Sequence, residues 1–290
     1  MIKSLIPYLS EKLCEEIELT KPLSGGSISS AYLVVTSNLK YFLKVNSESD
    51  ALQMFHEEQR GLNAIKETGT INVPQAYFVD HLDKKAFILM DYIESKRPID
   101  EDYKRLGLEL AKLHQVTGNE FGFSDDNFIG SLPQSNKKHE NWSEFYWSQR
   151  IYPQLLLAQK HSLLDKRDVP VKDHFIEIFE QITHDVKPSL LHGDLWGGNY
   201  LISADGTPYL IDPAVYYGHS MVDIAMSQLF GSFNSEFYNS YHTIMEKPMQ
   251  YSEQIDLYQL YYLLVHLNMF GKGYYSSVSS ILNRYFQKSR

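Results

Sequence analysis

Cysteine is nearly absent from this chain. Cys14 stands alone among 290 residues, so no disulfide can form within the chain and a cysteine-built zinc site is excluded. Long apolar runs are missing too: no stretch approaches the roughly 20 residues that cross a bilayer, so no membrane partner is expected. Residues 1–13 interleave Lys3, Pro7, Glu11 and Lys12 with apolar positions, which breaks the uninterrupted apolar centre of a secretory signal. The expected location is therefore cytoplasmic. Histidine is not scarce, at 11 residues, but no HExxH or similar metal spacing occurs. An excess of positive charge is also lacking. The formal net charge is −9, which argues against a nucleic-acid binder. That acidity suits a cationic substrate and equally serves solubility.

What is present is the composition of an ordinary globular protein, 43% apolar and 22% charged, long enough for one large domain or two lobes. Aromatic residues make up 13%, with 21 Tyr, favouring well-anchored cores and stacking surfaces. Ile17 to Lys21, Ala31 to Thr36 and Tyr41 to Val45 read as strands, the first broken at Pro22 and the last two separated by a turn at Asn38. Asp50 is placed to N-cap a helix carrying Leu52, Phe55, Leu62 and Ile65 and ending at Gly69. Strands around Ala76 to Val79 and Ala86 to Asp91 complete a small α+β lobe of five strands and one helix. Helices are then expected over Asp102 to Gln115, over Trp142 to Gln159 with a bend at Pro153, and over Asp173 to His184. Further helices are expected near Met221 to Leu229, Ser252 to Met269 and Tyr274 to Phe286. Gly118 to Asn141, rich in Gly, Asn, Ser and Asp, reads as a long surface loop and a candidate substrate element. The division expected is a nucleotide-binding lobe over 1–92 and a larger, mainly helical catalytic and substrate-binding lobe over 93–290.

The densest chemistry lies in His192-Gly193-Asp194-Leu195-Trp196-Gly197-Gly198-Asn199, followed by Tyr209-Leu210-Ile211-Asp212-Pro213. Phosphoryl transfer needs a carboxylate beside the attacking hydroxyl, and oxygen ligands that share a metal with the nucleotide phosphates. Asp194 fits the first role. Asn199 and Asp212, at one end of two neighbouring strands, fit the second. Taken singly, Asp194 is equally a loop carboxylate satisfied by amides, and Asp212 a turn residue before Pro213. The ordered set of three is harder to explain that way.

Lys44 lies inside the apolar strand Phe42-Leu43-Lys44-Val45, where an unpaired ammonium is costly, so it should meet an anion such as nucleotide phosphate. The alternative places it on a solvent face. Glu57 and Glu58 on the following helix are both available to hold it, with Glu58 favoured one helical turn before Leu62. Gly25, Gly26 and Ser27 sit in the first hairpin, where backbone amides can fold over phosphates, but no Walker lysine follows. Asp91 and Ile93, in the connector between the lobes, offer backbone groups to an adenine base. Asp223 reads either as a carboxylate turned inward to brace the catalytic loop or as a first-turn acid favoured by its helix dipole.

With these elements in order, the chain resembles the fructosamine kinase (ketosamine 3-kinase) family, within the protein-kinase-like fold shared with aminoglycoside and choline kinases. The general likeness rests on Lys44, Asp194, Asn199 and Asp212. The specific likeness rests on His192 to Asn199, on Phe121-Gly122-Phe123 with Gly130 to Gln134, and on Tyr152-Pro153-Gln154-Leu155. Gly25 to Ser29, Lys66 to Pro74, and Gly218-His219-Ser220 with Asp223 belong to the same pattern, so nearly the whole chain is covered. Trp196 separates the pattern from most aminoglycoside kinases.

The resemblance implies a two-lobed α+β fold with an antiparallel N-terminal sheet, and ATP- and Mg²⁺-dependent phosphorylation of the 3-hydroxyl of a ketosamine. The substrate would be a free or protein-bound sugar adduct of an amine, and the phosphorylated adduct would decompose to free that amine. It further implies Asp194 as base, Asn199 and Asp212 as metal ligands, and Lys44 with Glu58 organising the phosphates. Trp196 and the Gly122 to Gln134 loop, including Asn127 and Gln134, would border the sugar, with His192 and Asp223 as support. A monomer or weak homodimer is expected. Some family members carry cysteine where this chain has Ser27, so a redox switch at that loop is not expected. Other readings are a kinase of the same fold acting on another small amine or sugar hydroxyl, a catalytically silent nucleotide-binding protein, and a metal-dependent hydrolase. The strand lysine and glycine turn weigh against the hydrolase.

Overall fold

The computed structural model describes residues 2–23 and 29–286. Helix α1 (Ile6–Leu13) leads into strands β1 (Ile17–Leu23), β2 (Ser30–Thr36) and β3 (Lys40–Asn46), then helix α2 (Ala51–Thr68) and strands β4 (Ala76–Leu82) and β5 (Lys85–Asp91). These five strands form an antiparallel sheet in the order β1-β2-β3-β5-β4. Pro22 does not break β1. It pairs with Tyr32, because β1 is an edge strand and a missing N–H can face outward there.

Strand β5 shows how the sheet is buried. Its side chains alternate, so Phe87 and Leu89 join Val34, Leu43 and Val45 under Leu9 of α1 and Leu5 just before it. Ala86, Ile88 and Met90 point the other way, to Phe55, Leu62 and Ile65 of α2 and the main core. α1 was not expected from the sequence. The polar residues that interrupt an apolar run there fall around a helix whose N-cap Leu5 and whose Leu9, four apart, cover the sheet's outer face. α2 begins after Asp50, which makes no side-chain capping bond, and ends at Gly69 with φ +63°.

Beyond β5 come α3 (Asp100–His114), the short hairpin β6 (Asn127–Ile129) and β7 (Leu132–Gln134), then α4 (Trp142–Tyr146) and α5 (Tyr152–Lys160). A π-helical turn, Trp147–Ile151, joins α4 to α5, so the irregularity expected at Pro153 is absorbed in the turn before it. The segment 118–141 differs from the expected surface loop. It carries the β6–β7 hairpin and buries Phe121, Asn127, Ile129, Gln134 and Asn136, since its polar side chains bond inward.

Helix α6 (Lys172–Ile182) precedes β8 (Ser189–Leu191), the hairpin β9 (Tyr200–Ile202) and β10 (Pro208–Leu210), and β11 (Tyr216–Gly218), which pairs with β8. α7 (Met221–Leu229), α8 (Ser235–Tyr241), α9 (Tyr251–Phe270) and α10 (Tyr275–Phe286) follow. α8 was not anticipated; Asn234 caps it, accepting bonds from the amides of Glu236 and Phe237. α9 is apolar almost all round and forms the centre of the helical body. Among the described residues no helix is long and apolar enough to cross a membrane.

The sheet and the helical body are stitched together near the motif. Lys96 N–H donates to Ile202 O at 2.8 Å, Ala204 N–H to Glu94 O at 2.9 Å, and Leu210 N–H to Asn72 O at 2.9 Å. These bonds carry the β9–β10 hairpin against the sheet and bring Asp212, just past β10, under Lys44.

Candidate active site

Lys44 stands opposite Ala31 and Ile88 in the sheet, on the face covered by α2. Its Nζ donates to Glu58 Oε1 at 2.8 Å and also pairs with Asp212 across 168 residues of chain. Its side chain is only 12% exposed. Burial alone would depress the ammonium, but the Asp212 and Glu58 carboxylates outweigh it and raise the Lys44 pKa. Burial pushes Glu58 up, while the facing ammonium outweighs burial at Asp212 and holds that carboxyl below its ordinary value. Glu57 instead faces Arg60, whose Nη1 lies 3.0 Å from its Oε1. Of the two candidates on α2, Glu58 meets the lysine.

The catalytic loop starts where β8 ends, with Leu191 paired to Tyr216 of β11. Asp223, wholly buried on α7, accepts the His192 N–H at 2.7 Å and the Gly193 N–H at 2.9 Å, and its Oδ2 lies 3.1 Å from His114 Nε2. The carboxylate therefore turns inward and braces the loop. His192 Nε2–H donates to Ile211 O at 2.8 Å, and its Nδ1 accepts the Asp194 N–H at 3.2 Å. Burial lowers the His192 pKa, consistent with a neutral imidazole that both donates and accepts. Gly193 has φ +83°, and a Cβ there would run into the carbonyl of Ala214. Glycine is required on both counts.

Asn199 Nδ2 donates to Asp194 O at 2.8 Å and to Asp194 Oδ2 at 3.0 Å, which fixes the carboxylate and leaves the amide oxygen directed elsewhere. Ile211 N–H donates to Asn199 O at 3.0 Å, so Asp212 follows one residue past a bond to Asn199. Asp212 has φ +55° and a side chain 40% exposed. Burial first, then the nearby Asp212 charge, push the Asp194 carboxyl up to about 7. Asp194, Asn199, Asp212, Lys44 and Glu58 thus form one connected set. Among the described residues no three His, Cys, Asp or Glu side chains converge to hold a metal by themselves. The amide and carboxylate oxygens of Asn199 and Asp212 are hard donors that suit Mg²⁺ when phosphate oxygens complete its shell.

The remaining expected residues are dispersed around this set. Gly25, Gly26 and Ser27 lie outside the described residues. Asp91 accepts from Gln75 N–H at 2.9 Å and Tyr77 OH at 2.7 Å, and its own N–H goes to Gln75 O. Its carbonyl is what remains for a base, and Ile93 follows in the connector. Trp196 is 40% exposed; its ring covers Gly198, where a Cβ would collide with it, and Gly197 abuts Ser232. Asn127 and Gln134 are buried and bonded inward: Asn127 Nδ2 to Val215 O at 2.9 Å, Gln134 Nε2 to Asn127 Oδ1 at 2.8 Å, and Tyr261 OH to Gln134 Oε1 at 2.5 Å. They tie the β6–β7 hairpin to the segment after Asp212 rather than lining an open surface.

Two supports had no sequence signal. Tyr262 OH donates to Gly193 O at 2.7 Å from α9. Arg150, fully buried in the π-helical turn, has no carboxylate partner among the described residues. It donates to Ser135 O and Asn136 Oδ1, both at 2.6 Å, and lies 3.9 Å from the Tyr216 ring centroid.

Known proteins resemble this chain in sequence and in fold. A family model described as fructosamine kinase matches residues 1–288. A Vibrio parahaemolyticus protein named probable ketoamine kinase is 39% identical, over 98% of this chain and 99% of its own. A mouse ketosamine-3-kinase is 33% identical, over 93% and 95%. In fold, a Haemophilus somnus protein that carries a provisional fructosamine-3-kinase name superposes with a TM-score of 0.87 at 28% identity, covering 99% of this chain and 98% of that one. An aminoglycoside phosphotransferase in complex with ADP and hygromycin B superposes with a TM-score of 0.64 at 15% identity, over 99% and 100%, which is a likeness of fold.

Proposed function

The chain belongs to the fructosamine kinase family, and on that premise we propose that it transfers the γ-phosphoryl group of ATP to the 3-hydroxyl of a ketosamine. The observation that carries the reading is the continuous set Lys44–Glu58–Asp212–Asn199–Asp194, which joins an anion-binding lysine to a carboxylate with no ion pair among the described residues. Residues 1–92, which include β5, serve as the nucleotide-binding lobe and residues 93–290 as the catalytic and substrate-binding lobe.

Lys44 gives up its pairing with Asp212 to the α- and β-phosphates of ATP and keeps Glu58 as its anchor. The Asp91 carbonyl and the Ile93 backbone receive the adenine. Asn199 and Asp212 would hold Mg²⁺, which would neutralise charge on the phosphates. Asp194 accepts the proton of the substrate 3-hydroxyl as its oxygen bonds to the γ-phosphorus and the bond from phosphorus to the β,γ-bridging oxygen breaks, releasing ADP. A carboxyl held near neutrality is suited to that exchange. Asp223, His192 and Tyr262 keep Asp194 in place and never touch the substrate. Trp196 offers an exposed face to the sugar ring. Asn127 and Gln134 position the Ala214–Val215 backbone behind Asp212. A phosphate at C3 is allylic to the C1–C2 enaminol, so its expulsion and the hydrolysis that follows return the amine.

The test is ADP release with Mg²⁺ across five- and six-carbon ketosamines, aminoglycosides and choline. Ketosamine-dependent release, lowered about 10²- to 10⁴-fold in Asp194→Asn, is expected. Release with an aminoglycoside or choline and with no ketosamine would overturn the reading.

A further inference from the structure

We propose that an aromatic shelf beside the catalytic loop, made by Phe230, Phe270 and Tyr274 around His266, receives the amine-derived part of the ketosamine and favours adducts with an aromatic or apolar group next to the nitrogen. The inference rests on the function proposed above and adds a second subsite to it.

The shelf is tied to the catalytic loop from two sides. Tyr262, His266 and Phe270 recur every four residues along one face of α9, so they lie about 6 Å apart along its axis. The row starts at the catalytic loop, where Tyr262 OH meets Gly193 O at 2.7 Å, and His266 Nδ1–H donates to Tyr262 O at 2.7 Å. It ends at Phe270, which is 55% exposed. On the other side, Phe230 follows α7, is 41% exposed and leads into Gly231 and Ser232. Ser232 abuts Gly197, and its carbonyl accepts Tyr103 OH at 2.9 Å and Tyr200 OH at 3.1 Å, which anchors the segment against the loop. Around His266 the ring centroids of Phe230, Phe270 and Tyr274 stand at 4.8, 5.5 and 5.1 Å.

A single exposed aromatic needs no explanation, but a contiguous group whose neighbours Tyr262 and Ser232 touch the loop carrying Asp194 does. Substrate geometry supplies one. With the C3 hydroxyl at Asp194, the C1 nitrogen lies only a few bonds away, and everything attached to that nitrogen must leave the sugar site. The nitrogen is a secondary ammonium near neutral pH, and aromatic faces attract such a cation while burying an apolar substituent. His266 adds no competing charge, because burial lowers its pKa.

The experiment compares ketosamines of one sugar made on methylamine and on benzylamine, which share the cation and differ by a phenyl ring. For the unsubstituted enzyme, kcat/KM is expected to be about tenfold higher for the benzylamine adduct, a modest return for one buried ring. Phe270→Ser and Phe230→Ser, made separately at half-exposed positions, are each expected to bring that ratio towards one, with Phe270→Trp retaining it. Thermal midpoints check that the variants fold. Equal kcat/KM for the two adducts in the unsubstituted enzyme, or an unchanged ratio in both serine variants, would overturn the shelf alone. Turnover of neither adduct would remove the kinase reading and the shelf together.

Discussion

The two halves of the candidate active site are built from different materials. On the sheet side, Lys44 is held by charge: Glu58 from its own lobe and Asp212, a partly exposed carboxylate, from the other. On the helical side, Asp194 sits on a loop held by buried hydrogen bonds, with Asp223 and His192 accepting its amides and Tyr262 donating to its Gly193 carbonyl. A charge pair reaching into a wet cleft can be exchanged for phosphates at little cost. Buried hydrogen bonds cannot be exchanged, because each lost partner leaves a desolvated group behind. On the proposed function, the base is therefore built in advance, and the nucleotide-binding half is left to be completed by its ligand.

Substitutions that remove one half at a time test this contrast. Asp223→Ala should cause the largest loss of stability, about 3–5 kcal/mol, since it strands two amides and an imidazole in the core. Urea unfolding measures it, and a loss under 1 kcal/mol would mean that the loop does not depend on the bracing carboxylate. Gly193→Ala should follow at about 1–3 kcal/mol, from a strained positive φ and the approach of Ala214 O, with activity falling alongside.

Acid should weaken the helical body next. Burial lowers His192, and burial, with His114 adding to it, lowers His219 to about 3. Below the unfolded imidazole pKa of about 6.5 the unfolded chain takes up protons that these two refuse, so stability is present above that pH and lost as pH falls. The loss should reach up to about 1.4 kcal/mol per pH unit for each group, seen as urea midpoints dropping from pH 7 to pH 5. His219→Gln should flatten the slope.

Lys44→Met should have the smallest effect on stability, at most about 2 kcal/mol, because Glu58 and Asp212 can share a proton once the lysine is gone. Its kinetic effect should be large, with KM for ATP raised and kcat lowered at saturating ketosamine. A stability loss matching that of Asp223→Ala would erase the distinction between the two halves.

The strands and most helices were legible because burial imposes period 2 or 3.6 on apolar residues wherever one face is covered. β3 and α3 show this plainly. The elements missed were those whose burial is set by distant partners. α1 looks like a broken apolar run until the sheet's outer face is there to cover. The 118–141 segment looks like a surface loop until Arg150 and Tyr261 donate hydrogen bonds to it from elsewhere in the chain. β8 and β11 are three residues each, too short for any periodicity to register.

By itself the sequence determined the chemistry available: an Asp, an Asn and a second Asp in order, a lysine inside an apolar strand, and glycines flanking Trp196. Those are local facts, since backbone turns and strand alternation depend on neighbouring residues. Tertiary structure decided the partnerships. It put Glu58 rather than Glu57 on Lys44, turned Asp223 from a helix-dipole acid into the brace of the catalytic loop, and drew Asn127 and Gln134 inward to support the Asp212 segment. Each of these depends on how far a helix is rotated, or on which groups dozens of residues away fill the space beside it. Only the packed core sets those quantities, because only there does leaving a polar group without a partner carry its full cost.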